Sequence, residues 1–174
     1  AMSGDPYHSH RVCVSEVEKH CKIRVKEKAD IVVTTNGGYP LDRDVYQAVK
    51  GLVAGALAAK PGGTIIIFSE CRDGVGHQAF YRHLSETTPS QLLEQVRSSN
   101  MLEKDIWESQ ILARILEKFK VIFVTEERLR REIEDMHMAF ASSGEEALSI
   151  AFRQHGENAK IIVIPHGPQI IPSI

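Results

Sequence analysis

Four short runs of β-branched and apolar residues constrain the fold of this chain more than any other feature. They are residues 29–35 (ADIVVTT), 63–69 (GTIIIFS), 120–125 (KVIFVT) and 159–165 (AKIIVIP). Nearly continuous apolar sequence is typical of strands that are buried on both faces of a parallel sheet. Longer amphipathic stretches separate the runs, as in folds that place helices against such a sheet. The sequence therefore predicts an α/β, three-layer domain with a mainly parallel sheet of about five strands flanked by helices.

A fifth strand and several helix starts complete this prediction. Residues 136–141 (MHMAFA) are a weaker strand candidate at an edge of the sheet. Helix starts are marked by capping side chains or by proline. The signals are Asp5 before Pro6, Asp42 after Pro40, Thr88 before Pro89, Thr125 before Glu126, and Ser143 with Glu146 as a capping box.

Length and charge narrow the class of protein. A chain of 174 residues predicts one domain with its own core, and a net charge of -2 gives no electrostatic footprint for nucleic acid. Because the sequence has neither an apolar run of roughly 20 residues nor the layout of a secretory signal, we expect a cytoplasmic protein that does not bind a membrane. Cys13, Cys21 and Cys71 lack Cys-x-x-Cys spacing, so we expect buried or idle thiols rather than disulfides or a zinc site.

Two loops follow predicted strands at the edge of the sheet where ligands bind in such folds. The first contains Gly37 and Gly38, which let the backbone approach a ligand while the next helix offers free N–H groups to an anion. The second contains Asp73 and Gly74. Gly-Gly and Asp-Gly pairs also make ordinary turns, and the sequence alone favours that interpretation.

The helix after the first loop carries three polar side chains on one flank. Tyr46 and Lys50 are four residues apart and Gln47 and Lys50 three apart, so a phenol, an amide and an ammonium group can converge on one carboxylate. A solvated polar flank is the alternative.

The remaining faces of that helix carry no charge. At about 100° per residue, the predicted core face contains Val45, Val49, Leu52, Val53 and Ala56. The predicted outer face contains Gly51, Ala54, Gly55 and Ala58. Close packing on so small a face could come from another domain or subunit, or from a neighbouring helix of the same domain.

The only tryptophan and the histidines give weaker signals. Trp107 lies near the start of a helix whose predicted core residues are Ile111, Leu112, Ile115 and Leu116. A tryptophan at such a position is more often packed than functional. His8 and His10 are close in sequence, but without a third ligand they do not predict a metal site.

Many short motifs in one order resemble the C-terminal domain of the nickel-dependent lactate racemases. They are NGGYPLD, YQAVKG, GGTII, a DG pair with a second glycine, FY, W..QI.ARIL, VIFV, MHM and AKIIVIP. The opening SGDPYHSHR is similar to the helix that leads into this domain. The resemblance implies a single α/β domain over residues 1–174, with a lead-in helix at 1–22. It also implies a C-terminal tail at 166–174 that packs back on the N-terminal domain.

The resemblance also implies a function. In these isomerases a nickel pincer nucleotide, tethered to the N-terminal racemase domain, accepts a hydride from C2 of a small 2-hydroxy acid and returns it to the opposite face. Tyr46, Gln47, Lys50 and Trp107 match residues that bind the substrate and close over the site. No catalytic residue or metal ligand is placed in this chain, which alone is expected to bind no cofactor and to be inactive. The alternative is a stand-alone small-molecule binding or interaction module without catalysis.

Overall fold

The computed structural model describes residues 3–98 and 103–174, so residues 1 and 2 of the predicted lead-in lie outside the described part. The helices are α1 (Pro6–Cys21), α2 (Val45–Ala58), α3 (Gln78–Ser85), α4 (Pro89–Ser98), α5 (Ile106–Leu116), α6 (Arg130–Asp135) and α7 (Gly144–His155). The strands are β1 (Lys22–Arg24), β2 (Ala29–Thr35), β3 (Ala59–Phe68), β4 (Lys120–Val124), β5 (Ala139–Ala141), β6 (Ile161–Ile164) and β7 (Ile171–Ser173). Short 3-10 segments occupy Glu127–Leu129 and Gly167–Gln169.

Five strands form one sheet in the order β5-β4-β3-β2-β6, and every neighbouring pair is parallel. The predicted α/β class and the edge position of the strand within 136–141 are confirmed. The strand predicted at 63–69 begins earlier, at Ala59. The prediction that all four apolar runs are buried on both faces is wrong for β6. Because β6 is an edge strand, its Ile161 and Val163 side chains are exposed.

Helices cover both faces of the sheet. Successive residues of a strand point to opposite faces, so Ile65 and Ile67 of β3 join the larger core and Ile66 joins the smaller one. The larger core contains residues of α2, α3, α4 and α5, whereas the smaller core is closed by α7. These two cores give the three layers that the sequence predicted.

The C-terminal segment is seated on this domain. β7 pairs in parallel with β1, and the 3-10 turn that begins at Gly167 packs on α2. A Cβ at position 167 would lie 2.7 Å from Thr34 Oγ1 and 2.9 Å from Gly51 Cα, so only a glycine permits this approach. The expectation that residues 166–174 also pack on the N-terminal domain stays a prediction.

The orientation predicted for α2 is also corrected. Gly51, Ala54, Gly55 and Ala58, expected on an outer face, are buried. A Cβ at Gly55 would lie 2.7 Å from Ile65 Cγ2, so the glycine face of α2 lies directly on the sheet of its own domain. Val53, expected in the core, is 40% exposed.

Three of the five helix-start signals are confirmed. Asp5, Thr88 and Ser143 each accept a hydrogen bond from the backbone N–H three residues later. Asp42 does not cap α2; Asp44 does, by accepting from Gln47 N at 2.7 Å. Thr125 instead donates its hydroxyl to the Glu70 carbonyl, and a 3-10 segment precedes α6.

Candidate functional site

The candidate site lies at the start of α2, next to the carboxyl end of β2. The second predicted loop folds over this helix start. Val45 N donates to Gly74 O at 3.1 Å and Tyr46 N donates to Val75 O at 3.2 Å. Together with the Asp44 cap, these bonds occupy the first backbone donors of α2. The expectation that the helix offers free N–H groups to an anion is therefore wrong.

The loop residues predicted from sequence form turns. Gly37, Gly38 and Gly74 have φ angles of 88°, 83° and 85°, in the left-handed region that glycine adopts at little cost. The Asp73 carboxylate pairs with Arg43, with Oδ2 and Nε 3.1 Å apart. These contacts support the turn interpretation, and a ligand-binding role of these four residues stays a prediction.

The four predicted substrate residues form two contacting pairs on α2 and α5. Lys50 Nζ donates to Gln47 Oε1 at 2.5 Å, one turn along α2. The ring centroids of Tyr46 and Trp107 are 6.0 Å apart in an edge-to-face arrangement, which joins α2 to the start of α5. We call Tyr46, Gln47, Lys50 and Trp107 the clamp. Within it Tyr46 is buried, Gln47 is half-buried, Lys50 is exposed, and the Trp107 side chain is 54% exposed.

Tyr46 is held in an aromatic cluster. Its ring lies 4.4 Å from the His77 ring and 5.3 Å from the Phe80 ring. Burial, reinforced by the negative charges of Asp105 and Glu108, raises the pKa of Tyr46 to about 12. The phenol is therefore neutral and keeps its proton for hydrogen bonding across the physiological pH range.

Sequence reasoning missed three polar residues beneath the clamp. Glu108 is 2% exposed, and burial raises the pKa of its carboxyl against the opposing charge of Lys50. Asp105 is also buried, and its Oδ2 lies 2.9 Å from His77 Nδ1. A usable signal existed in α5, because Glu108 shares the helical face of the buried Leu112 and Ile115. A charged residue at a core position suggests a functional or paired group.

The described residues do not supply a metal centre. Across residues 3–98 and 103–174, no group of three or more His, Cys, Asp or Glu side chains could hold a metal ion. His8 lies on the exposed helix α1, where its Nδ1 contacts Asp5 Oδ1 at 2.9 Å. Burial raises the pKa of the Cys71 thiol to about 12, so this buried cysteine is unreactive in the folded chain.

Comparison with known proteins identifies the family. The model of the lactate racemase C-terminal domain family matches residues 24–172. The chain belongs to this family. The lactate racemase of Thermoanaerobacterium thermosaccharolyticum is 47% identical over 146 residues, which cover 82% of this chain and 34% of that protein. The lactate racemase of Lactiplantibacillus plantarum is 38% identical over 174 residues, which cover 98% of this chain and 41% of that protein.

A solved structure agrees with this assignment to the lactate racemase C-terminal domain family. The lactate racemase apoprotein of T. thermosaccharolyticum superposes with a TM-score of 0.91 at 42% identity, over 95% of this chain and 40% of that chain. A Thermotoga maritima protein with a TM-score of 0.63 and 12% identity shares the fold only. The chain thus spans 34% to 41% of the length of the curated relatives it matches. In the described part of the chain, no helix is long and apolar enough to cross a membrane.

Proposed function

We propose that this domain binds the substrate of a lactate-type 2-hydroxy acid racemase and closes over its reaction site. The observation that carries the proposal is the clamp, in which an exposed ammonium group, an amide and two aromatic rings converge from α2 and α5. Membership of the lactate racemase C-terminal domain family supports the reaction class. The partner in this function is the N-terminal racemase domain.

The clamp has the chemistry to hold a 2-hydroxy acid by its carboxylate. Lys50 supplies a positive charge at the surface, and its bond to Gln47 Oε1 leaves the Gln47 amide N–H groups to donate. Tyr46 adds an aromatic wall that carries no charge, because its pKa is about 12. Trp107 projects next to it and can cover the bound molecule, which excludes water from C2.

The cofactor belongs elsewhere in this proposal. The resemblance implies a nickel pincer nucleotide in the complete enzyme, but the described residues provide no cluster of metal-ligating side chains. Following the resemblance, we assign its binding to the N-terminal racemase domain. The contribution of this chain is to bind, orient and shield the substrate, and the chain alone is inactive.

Replacing Lys50 in the complete racemase tests the proposal. A charge-assisted hydrogen bond contributes about 1.5–3 kcal/mol, so Lys50→Ala should lower kcat/KM for lactate racemisation by about tenfold to a hundredfold. Gln47→Ala should act in the same direction with a smaller loss. The melting temperature should hardly change, because Lys50 is an exposed residue on the helix flank.

Lys60→Ala is the matched control. Lys60 also makes a short bond, 2.7 Å to Asp30, but it lies at the opposite end of the strands, near the start of the central strand β3. Its replacement should leave racemisation unchanged. If Lys50→Ala and Gln47→Ala both racemise lactate as fast as the control, the clamp does not bind substrate and the stand-alone module becomes the better interpretation.

A further inference from the structure

The residue in front of the Trp107 helix has an unusual conformation. Asp105 is the N-cap of α5, two residues before Trp107, and its φ of 64° is in the left-handed region. Aspartate at this position usually bonds a backbone N–H of the first turn with its side chain. Here the side chain makes no such bond, although the Asp105 carbonyl accepts from Glu108 N and Ser109 N. The left-handed backbone of Asp105 is strained, and its side chain does not cap the helix. Together these features indicate that the carboxylate has a role other than capping α5.

The Asp105 carboxylate points at the clamp. Its Oδ2 lies 2.9 Å from His77 Nδ1, and its negative charge is one cause of the raised pKa of Tyr46. The His77 contact lacks hydrogen-bond alignment, so Oδ2 is buried without a hydrogen-bond partner among the described residues. The residue as a whole is 8% exposed. A buried carboxylate with spare acceptor capacity is costly and needs a reason in the structure.

His77 and Tyr46 connect the Asp105 carboxylate to the clamp residues of α2 and to Trp107 of α5. The His77 ring stacks on Tyr46 at 4.4 Å with an interplanar angle of 33°. On another side, Tyr46 meets the edge of Trp107. Asp105 therefore lies where the second loop, α2 and α5 meet, next to the residues that present the aromatic walls.

A second pair of the same kind provides a built-in comparison. His83 Nε2 lies 2.9 Å from Glu103 Oε2, and His83 Nδ1 lies 3.1 Å from Ser109 Oγ. Like His77 and Asp105, this pair joins the α3 region to the start of α5. It includes no residue of the clamp.

We propose that Asp105 is a positioning residue of the clamp, which fixes Tyr46 and Trp107 through His77 so that they close on the substrate in one geometry. This inference rests on the proposed substrate-binding function. It adds a residue that acts on the substrate only through its neighbours. The role is to orient the site, because the Asp105 side chain is too buried to reach a ligand above Tyr46.

The test compares Asp105→Asn with Glu103→Gln in the complete racemase. Both changes remove one carboxylate charge and keep the side-chain shape. Because misplacement of the walls impairs the reacting geometry, Asp105→Asn should lower kcat by about tenfold to a hundredfold with a smaller change in KM. Glu103→Gln should leave kcat within about threefold of wild type. Equal kcat values for the two variants would overturn the proposal.

A double-mutant cycle separates positioning from general damage. If Asp105 acts through His77, then adding Asp105→Asn to His77→Asn should cost little further activity, whereas independent effects would multiply. On the 174-residue chain, the fluorescence of the single Trp107 gives a readout that does not depend on activity. Acrylamide quenching of Trp107 should increase in Asp105→Asn and not in Glu103→Gln. Multiplicative losses, or equal quenching in both variants, would contradict positioning through the aromatic cluster.

Controls keep this inference distinct from the proposed function. If Lys50→Ala is fully active, the proposed substrate-binding function itself is wrong. If Lys50→Ala is impaired and Asp105→Asn behaves like Glu103→Gln, only the positioning role fails. Should Asp105→Asn not fold, the exposed His77→Asn removes the other half of the contact and is expected to lower kcat in the same direction.

Discussion

Replacing Gly55 with alanine tests how closely α2 lies on the sheet. A Cβ at this position would be 2.7 Å from Ile65 Cγ2, well inside the ~3.5–4.0 Å at which two carbon atoms attract. Ile65 is fully buried in the central strand β3, so it has little room to move. Overpacking at so short a distance should cost about 2–3 kcal/mol, and the better helix propensity of alanine should offset about 1 kcal/mol.

The expected net loss is about 1–2 kcal/mol, which lowers the melting temperature of a domain of this size by about 2–8 °C. Thermal melting followed by circular dichroism measures it. Ile65→Ala removes the opposing methyl group, so this change should cost less in the Gly55→Ala background than in wild type. A Gly55→Ala chain that melts higher than wild type would show that propensity dominates and that α2 has space below it.

Two further predictions concern titrating groups. Burial raises the pKa of Glu108, so the folded chain retains this proton more readily, and the resulting stabilisation is lost as pH rises through the folded pKa. The melting temperature of Glu108→Gln should therefore rise relative to that of wild type as the pH increases above about 4, and a constant difference between the two would contradict this. Burial also raises the pKa of Cys71 to about 12. A thiol reagent at about pH 8 should therefore label the exposed Cys13 in the native chain, whereas it should label Cys71 only after denaturation. Peptide mass spectrometry distinguishes them, and equal native labelling of both would refute the burial argument.

The strands of the five-stranded sheet could be predicted from sequence, but the short pair β1 and β7 and the order of the strands could not. Continuous apolar runs located β2, β3, β4 and β6 because burial requires apolar side chains whatever the strand order. The same pattern gave no sign that β6 lies at an edge, where its Val163 side chain is exposed. Edge position depends on which strands pair across the sheet, and that is a property of the whole chain.

The predicted orientation of α2 was wrong for a related reason. From residue 51 to residue 59 this helix has no charged residue to mark a solvent face, so the apolar pattern alone decided the prediction. It assigned Val45, Val49 and Val53 to the core, which is right for the first two, and the glycines to the outside. In the structure the glycines face the sheet because they allow the closest approach, and the bulkier Val53 is left partly exposed.

The candidate site, like the fold, could be predicted from sequence only in part. Tyr46, Gln47 and Lys50 could be grouped from helical spacing because they lie within one turn and a half of one helix. Trp107 joined them only through the family resemblance, and Asp105 and His77 were not found. Those contacts join α2, the second loop and α5 across gaps of about 30 to 60 residues, and local periodicity carries no information at that range.

The packing of the second loop explains why side chains, rather than a helix terminus, recognise the proposed carboxylate. Gly74 O and Val75 O accept the N–H groups that would otherwise attract an anion to the start of α2. Positive charge at this place must then come from a side chain, and Lys50 presents it one turn further along the helix. The clamp therefore depends on Lys50 more than a site built on free helix N–H groups would, which is why its replacement is the decisive test of function.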